Sequence, residues 1–278
     1  MLYQSLIGAI VLATALSATV ANAQTVDQTK YPELAGQWVR NVGAQWDPTM
    51  PRGIGQQAPF IPEYQAILEA NIAQLAAGGE GFNPQIKCLP GGMPRMMIAY
   101  DPIQVILTPD ITYIWVHQMG EFRRIYTDGR DWPDNPKPAF RGYSIGRWTD
   151  DDGDGRYDAL IVETRSMKGP RTLDADGLPL HKDDQTIVKE RIYLDKANRN
   201  LLYDEITTFD HSLTRPWTVT RSYRRELHPI WPEDICDEDN HHVDIGKESY
   251  FISEDGYLLP TRKDQPVPDL KNFGQSQK

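Results

Sequence analysis

"IQVILTPDITYIWVHQMGEFRRIYTD", residues 103–128, decides the fold. Apolar and polar residues alternate through three short runs rich in β-branched and aromatic side chains, and Pro109-Asp110 and Gly120 part the runs. A period of two marks strands with one buried face, and runs this short between tight turns read as an antiparallel meander. The same texture continues in "RYDALIVETRSM", "TIVKERIYLD", "LLYDEITTFD" and "WTVTRSYRRE". "ELAGQWVR" supplies a further strand near the start, and "YFISEDGYLL" reads as a late hairpin. Roughly eight to ten strands with one helix predict an all-β protein, an antiparallel lipocalin-like (calycin-type) barrel or a strongly curled sheet. Gly36-x-Trp38 resembles the G-x-W opening of lipocalins.

The one helix is "PEYQAILEANIAQLAAGG". Pro62 suits its first position, Tyr64, Leu68, Ile72 and Leu75 recur at helical spacing, and Gly78-Gly79 end it. Residues 41–61 and 128–141 are rich in Pro and Gly and read as long surface loops.

The chain opens with an apolar run from Leu6 to Leu16 and an A-x-A pattern at Ala21-Asn22-Ala23. This reads as a signal peptide over residues 1–23, placing the mature protein in the periplasm or outside the cell, with no membrane insertion after cleavage. The remainder, roughly 250 residues, suits one domain, a barrel over 24–260 followed by a loosely attached tail at 261–278. The formal net charge of -10 and the lack of a Lys/Arg cluster argue against nucleic acid or an anionic membrane surface as partner. In an oxidising compartment the two cysteines, Cys88 and Cys236, most simply form one disulfide, with two buried thiols as the alternative.

Two motifs overlap in "GYSIGRWTDDDGDGRYDALIVE" (142–163). Gly142-Tyr143-Ser144-Ile145-Gly146 matches the G-x-S-x-G nucleophile elbow, but a run of aspartates and glycines follows where that motif needs a helix. The glycines instead suggest a bend or a close backbone approach. Asp150, Asp152 and Asp154 occupy positions 1, 3 and 5 of a calcium loop, with Gly155 at the sharp turn, the Arg156 carbonyl at position 7 and Asp158 at position 9. A strand follows, so the loop resembles the calcium loops in hairpins of FG-GAP-type propellers. Five carboxylates within nine residues repel one another without a cation, so calcium is expected; a solvated acidic turn is the alternative.

Strand alternation supplies the candidate ligand site. Glu190 shares a face with Val188, Ile192 and Leu194; Glu205 with Leu201, Tyr203 and Phe209; Arg221 with Trp217, Val219 and Tyr223. His117 aligns with Tyr113 and Trp115, and Arg124 with Phe122, Tyr126 and Asp128. Charges on apolar faces need partners. They read either as an ion-pair ladder that fixes the barrel's register or as the lining of a cavity. The second reading predicts binding of a small, partly aromatic organic molecule by His117, Arg124, Tyr126, Asp128, Trp217 and Arg221. It also leaves open a periplasmic enzyme of lyase, isomerase or hydrolase type, with Glu190, His181 and Glu205 as acid–base groups. "CDEDNHHVD" reads as a polar segment held by Cys236. No nucleotide, haem or flavin fingerprint is present.

Together "CLPGGMPRMM", "FRRIYTDGRDWP", "GYSIGRW", "RPWTVTRSYR" and "CDEDN" resemble a large family of exported bacterial proteins, over roughly residues 34–240. That family carries C-L-P-x-G-x-P, R-R-I-Y-x-D-G-R, S-I-G-R-W and C-terminal C-x-E-N segments. The resemblance falls on Cys88, Arg123, Arg124, Tyr126, Asp128, Gly129, Arg130, Ser144, Gly146, Arg147, Trp148, Trp217, Cys236, Glu238 and Asn240. It implies export. The longer acidic turn from Asp150 to Tyr157 departs from the family pattern, which makes calcium a local addition.

Overall fold

Nine strands close into a barrel: β1 (Gly36–Arg40), β2 (Ile103–Leu107), β3 (Ile111–Val116), β4 (Glu121–Tyr126), β5 (Tyr143–Thr149), β6 (Ala159–Arg165), β7 (Ile187–Leu194), β8 (Leu201–Phe209) and β9 (Trp217–Arg225). The computed structural model describes residues 27, 29–100, 102–231, 234–236 and 241–271. The expected signal peptide lies outside them, as do Glu238 and Asn240 of the last family segment. Among the described residues no helix is long and apolar enough to cross a membrane.

Neighbouring strands pair antiparallel, β1 with β9 included, except β4 and β5, which run parallel through Ile125↔Ser144 and Tyr126↔Ile145. Closing nine strands with β1 antiparallel to β9 requires one parallel pair, so the expected simple meander is corrected there. A parallel neighbour needs a connection that returns along the barrel's length, and residues 127–142 provide it. This Pro-rich strap runs over the outside: Arg130 lies 3.8 Å from the Tyr126 ring and Trp132 6.0 Å from Tyr143.

The strand directions separate two ends. Long connections, 41–102, 166–186 and 210–216, gather at one end with the 117–120 turn, while the 108–110 and 195–200 turns and the 150–158 hairpin occupy the other. The helix α1 (Pro62–Ala76) belongs to the loop-rich end and buries Tyr64, Leu68 and Asn71, with Ile72 against the core and Leu75 exposed.

Inward-facing residues fill the bore. Trp38, Ile114, Leu160, Val188, Leu202 and Ile206 are fully buried, each contributing roughly 1.5–3 kcal/mol of hydrophobic stabilisation. From the loop-rich end Met93, Met96 and Met97 insert as a plug, and the Tyr223 hydroxyl donates to the Met97 carbonyl. Trp38 donates Nε1–H to the Leu34 carbonyl at 2.9 Å, and Arg225 lies 4.2 Å over its ring.

The barrel ends at Arg225. Strands β10 (His242–Ile245), β11 (Glu248–Ile252) and β12 (Leu258–Pro260) form a separate three-stranded sheet, so the expected barrel over 24–260 is shorter than predicted. The expected late hairpin is β11–β12. A disulfide joins Cys88 to Cys236, with Cα atoms 5.6 Å apart. The start of the tail is not loose: buried Thr261 donates its hydroxyl to the Ser249 carbonyl at 2.9 Å, and Tyr250 donates to the Pro266 carbonyl at 3.0 Å.

Candidate functional site

Inside the bore the chemistry belongs to Arg123, Glu190, Asp204 and Arg221. Arg123 reaches from β4 across β5 and β6 to β7. Its Nη1 and Nη2 donate to Glu190 Oε1 and Oε2 at 2.8 and 2.5 Å, while Nε and Nη2 donate to Ser144 and Thr164 at 3.2 and 2.8 Å. Ser144 is therefore a buried support of this pair. Arg221 turns towards the loop-rich end and donates to the carbonyls of Gly43, Gln45 and Trp46 at 2.6, 2.7 and 3.0 Å, holding the 41–61 loop. Asp204, opposite Arg221 in the β8–β9 register, is fully buried with neither carboxylate oxygen hydrogen-bonded. Burial first, and Glu190 beside it second, push its carboxyl well above the usual range. Burial likewise pushes up the Tyr223 hydroxyl.

The predicted residues divide by face. Glu190, Trp217 and Arg221 point inward as expected, and Trp217 packs edge-on against Trp46 at 6.5 Å. Glu205, Arg124, Tyr126 and Asp128 do not. In β4 the buried set is Glu121, Arg123 and Ile125, and in β8 it is Leu202, Asp204, Ile206 and Thr208. Glu205 instead accepts from the Tyr193 hydroxyl at 2.8 Å; burial and this carboxylate push Tyr193 up to about 12. Arg124 lies over Phe122, Tyr126 stacks on Tyr143 at 5.0 Å, and Asp128 pairs with Arg130, whose hydrogen bonds lower its carboxyl. His117 follows β3 in a helical turn and is buried beside the Trp115 and Trp231 rings, outside the bore. His181 sits on the loop before β7, its Nδ1 3.0 Å from Asp183.

A second buried polar group, missed by the sequence reading, lies at the loop-rich end. Glu121 accepts the backbone N–H groups of Gly91 and Gly92 at 2.6 and 2.9 Å, yet burial raises its carboxyl. Arg95 donates to Thr172 at 2.6 Å, and burial lowers it to about 10. Burial, then Asp176, raises Asp174 to about 6. A crevice of about 10 Å³ touches Arg95, Tyr100, Gln118 and Glu121. One signal was present: Glu121 alternates with Arg123 and Ile125. Nothing in the local pattern marks Arg95 or Asp174.

The clefts open outward. One of 520 Å³ lies at the hairpin end between Glu33, Asp152, Asp154, Asp158, Lys196 and Arg199. Another, of 340 Å³, lies between Trp132 of the strap and the outer faces of β5, β6 and β7, with Arg147, Glu163 and Lys189 on its wall. Glu190, Asp204 and Arg221 line neither.

In the hairpin, Asp150, Asp152 and Asp158 bring carboxylate oxygens within 4.8 Å of one another, while Asp154 falls outside this group. Asp150 accepts Gly153 N–H at 2.7 Å and Gly155 N–H at 2.9 Å, folding the loop around its carboxylate. Asp158 accepts Asp151 N–H at 2.8 Å, and Asp154 accepts the N–H of Arg156 at 2.8 Å. Asp151 is taken by Arg191 at 2.6 Å. The cluster is thus three carboxylates on a wound loop, a set of hard oxygen donors suited to calcium. No protein-family model matches the chain, and no curated protein does either.

Proposed function

We propose that the protein is an exported, disulfide-closed barrel whose binding chemistry lies on its outside. A calcium ion occupies the 150–158 hairpin, and a small, partly aromatic organic molecule occupies the strap cleft. The observation that carries this reading is the convergence of Asp150, Asp152 and Asp158 on one point. Three like charges at that separation are stabilised by a divalent cation. The strap cleft, at 340 Å³, falls within the ~300–1,000 Å³ typical of ligand pockets and carries Trp132, with Arg165 over one face of its ring, Arg147, and the Lys189–Glu163 pair as polar groups. The ion-paired, Met-plugged bore supports neither ligand binding nor proton transfer by Glu190. The experiment is native mass spectrometry of protein purified without denaturation. A calcium adduct lost in Asp150→Asn and an organic adduct lost in Trp132→Ala are expected; an adduct-free spectrum in millimolar calcium overturns the reading.

One observation favours an enzyme of acid–base type instead: Glu121, whose carboxyl burial raises, lines the crevice at the loop-rich end beside Arg95. On that reading the acid–base groups are at the loop-rich end, not in the bore. Turnover abolished in Glu121→Gln is its signature.

A further inference from the structure

A cluster with different donor chemistry sits at the opposite end from the acidic hairpin. His181 and Asp183, on the loop into β7, and His211, on the β8–β9 loop, each bring one ligand atom within 4.8 Å of the others. Asp183 stands between the rings, Oδ1 3.0 Å from His181 Nδ1 and Oδ2 2.6 Å from His211 Nδ1.

Contacts made elsewhere hold the donors in place. Asp210 Oδ1 accepts His181 N–H at 2.8 Å and Ser212 N–H at 2.9 Å, and its Oδ2 accepts the Thr186 hydroxyl at 2.5 Å. One carboxylate therefore pins both loops together. The Tyr64 ring of α1 lies against His181 at 5.4 Å. Such outer contacts are what orient ligands in metal sites.

His181 Nδ1 stands 3.1 Å from the Asp183 amide nitrogen and 3.0 Å from Asp183 Oδ1. Either a proton donated from Nδ1 to Oδ1 or a cation held by both groups satisfies this contact.

We propose that His181, Asp183 and His211 bind a divalent transition metal of the zinc class, leaving a coordination position open to water. Two imidazoles with one carboxylate suit zinc, cobalt or nickel rather than calcium or magnesium. One ligand atom from each residue lies within 4.8 Å of the others, a span that includes the ~3.3 Å edge of a tetrahedron with bonds of ~2.0–2.1 Å, so a small adjustment of the side chains admits the ion. The His211 side chain is 67% exposed, which leaves a path from solvent. This site shares no residue with the calcium hairpin, so either can fail alone.

The test uses the whole mature protein without a histidine tag, stripped with chelator, in millimolar calcium to saturate the hairpin. Cobalt(II) followed by its visible absorption, then displaced by zinc, is expected to report one equivalent. His211→Ala and Asp183→Asn each lower that affinity by roughly tenfold or more, whereas Asp150→Asn leaves it unchanged. No stoichiometric uptake, or uptake equal in His211→Ala, overturns the proposal and identifies the cluster as a proton-shared His–Asp–His contact. His211 is exposed, so its substitution leaves the fold intact, which unchanged circular dichroism verifies.

Discussion

Arg123 on β4 and Glu190 on β7 are joined by two parallel hydrogen bonds, 2.8 and 2.5 Å long, with side chains 1% and 0% exposed. Two further strands separate them in the sheet, so the pair staples opposite parts of the barrel wall through its interior. Its remaining donors go to Ser144 and Thr164, whose hydroxyls are 2.8 Å apart, and to the Met97 sulfur at 3.9 Å. Of the two readings of inward charge open in the sequence, the bore favours the ion-pair ladder.

Breaking one side of the pair leaves an uncompensated buried charge. Arg123→Met or Glu190→Leu should each destabilise the protein by about 3–5 kcal/mol. The double variant should recover most of that loss, because two apolar residues of similar volume replace two desolvated ions. Urea unfolding of the three variants measures this. Single variants with wild-type midpoints would mean that the pair contributes nothing.

Asp204 and Asp174 make stability fall as the solution becomes less acidic. Their folded carboxyls are raised, so the folded protein keeps protons that the unfolded chain releases near pH ~3.9. Stability from these groups is complete below that pH and is lost as pH rises through the folded value. For Asp174, the gap between 3.8 and about 6 corresponds to roughly 3 kcal/mol. Asp128 and Asp151, held low chiefly by Arg130 and Arg191, act oppositely at more acidic pH. Asp204→Asn isolates the first effect, since neither of its oxygens has a hydrogen bond to lose. Its stability relative to wild type should grow from pH 4 to pH 8 in paired denaturation curves; a constant difference would show that Asp204 ionises normally.

Legibility of the inward residues depended on how unequal the two faces of a strand are. In β7 and β9 one face is plainly apolar, Val188-Ile192-Leu194 and Trp217-Val219-Tyr223, and Glu190 and Arg221 were read correctly. In β4 both faces carry charge and bulk. Phe122 and Tyr126 look like core, but they lie on the outer face, Phe122 stacked on Tyr113 and Tyr126 under Arg130 of the strap. In β8, Leu201-Tyr203-Phe209 competes with Leu202-Ile206 in the same way. A period of two reports alternation, not which side is in, and a one-residue choice moves every side chain. The loop-rich end was less legible still, because Arg95, Glu121 and Asp174 meet only through tertiary folding.

Gly142 and Gly146 show a motif read correctly by its context. A Cβ at Gly146 would lie 2.7 Å from Ile125 Cγ2 in the packed bore. At Gly142 it would lie 2.5 Å from the Arg165 carbonyl, on a residue with φ of +65°. Overpacking should make Gly146→Ala cost about 1–3 kcal/mol. Gly142→Ala should cost more, because backbone cannot yield as a side-chain terminus does. Ser144→Ala should only weaken the ladder, losing its contacts with Arg123 and Thr164. Thermal unfolding ranks the three, and a Gly142→Ala protein as stable as Ser144→Ala would contradict the geometry.

The hairpin gives the most direct reading on the calcium proposal. Exported sites of this donor type bind with dissociation constants of about 0.1–1 mM. An ion that binds only the folded state at ~10 mM then adds roughly 1.4–2.7 kcal/mol. Asp150, whose carboxylate organises the loop through Gly153 and Gly155, and Asp152 are the residues to change. In Asp150→Asn/Asp152→Asn the calcium-dependent rise in melting temperature should vanish. Stability without calcium should change little, since falling like-charge repulsion offsets the one backbone hydrogen bond that an amide side chain at position 150 cannot accept and the Lys196 contact of Asp152. Magnesium at the same concentration should be much less effective, because it demands near-octahedral geometry and gives up water reluctantly. A shift that is absent in the wild type, or equal with magnesium and in the double variant, would reduce the loop to a solvated acidic turn.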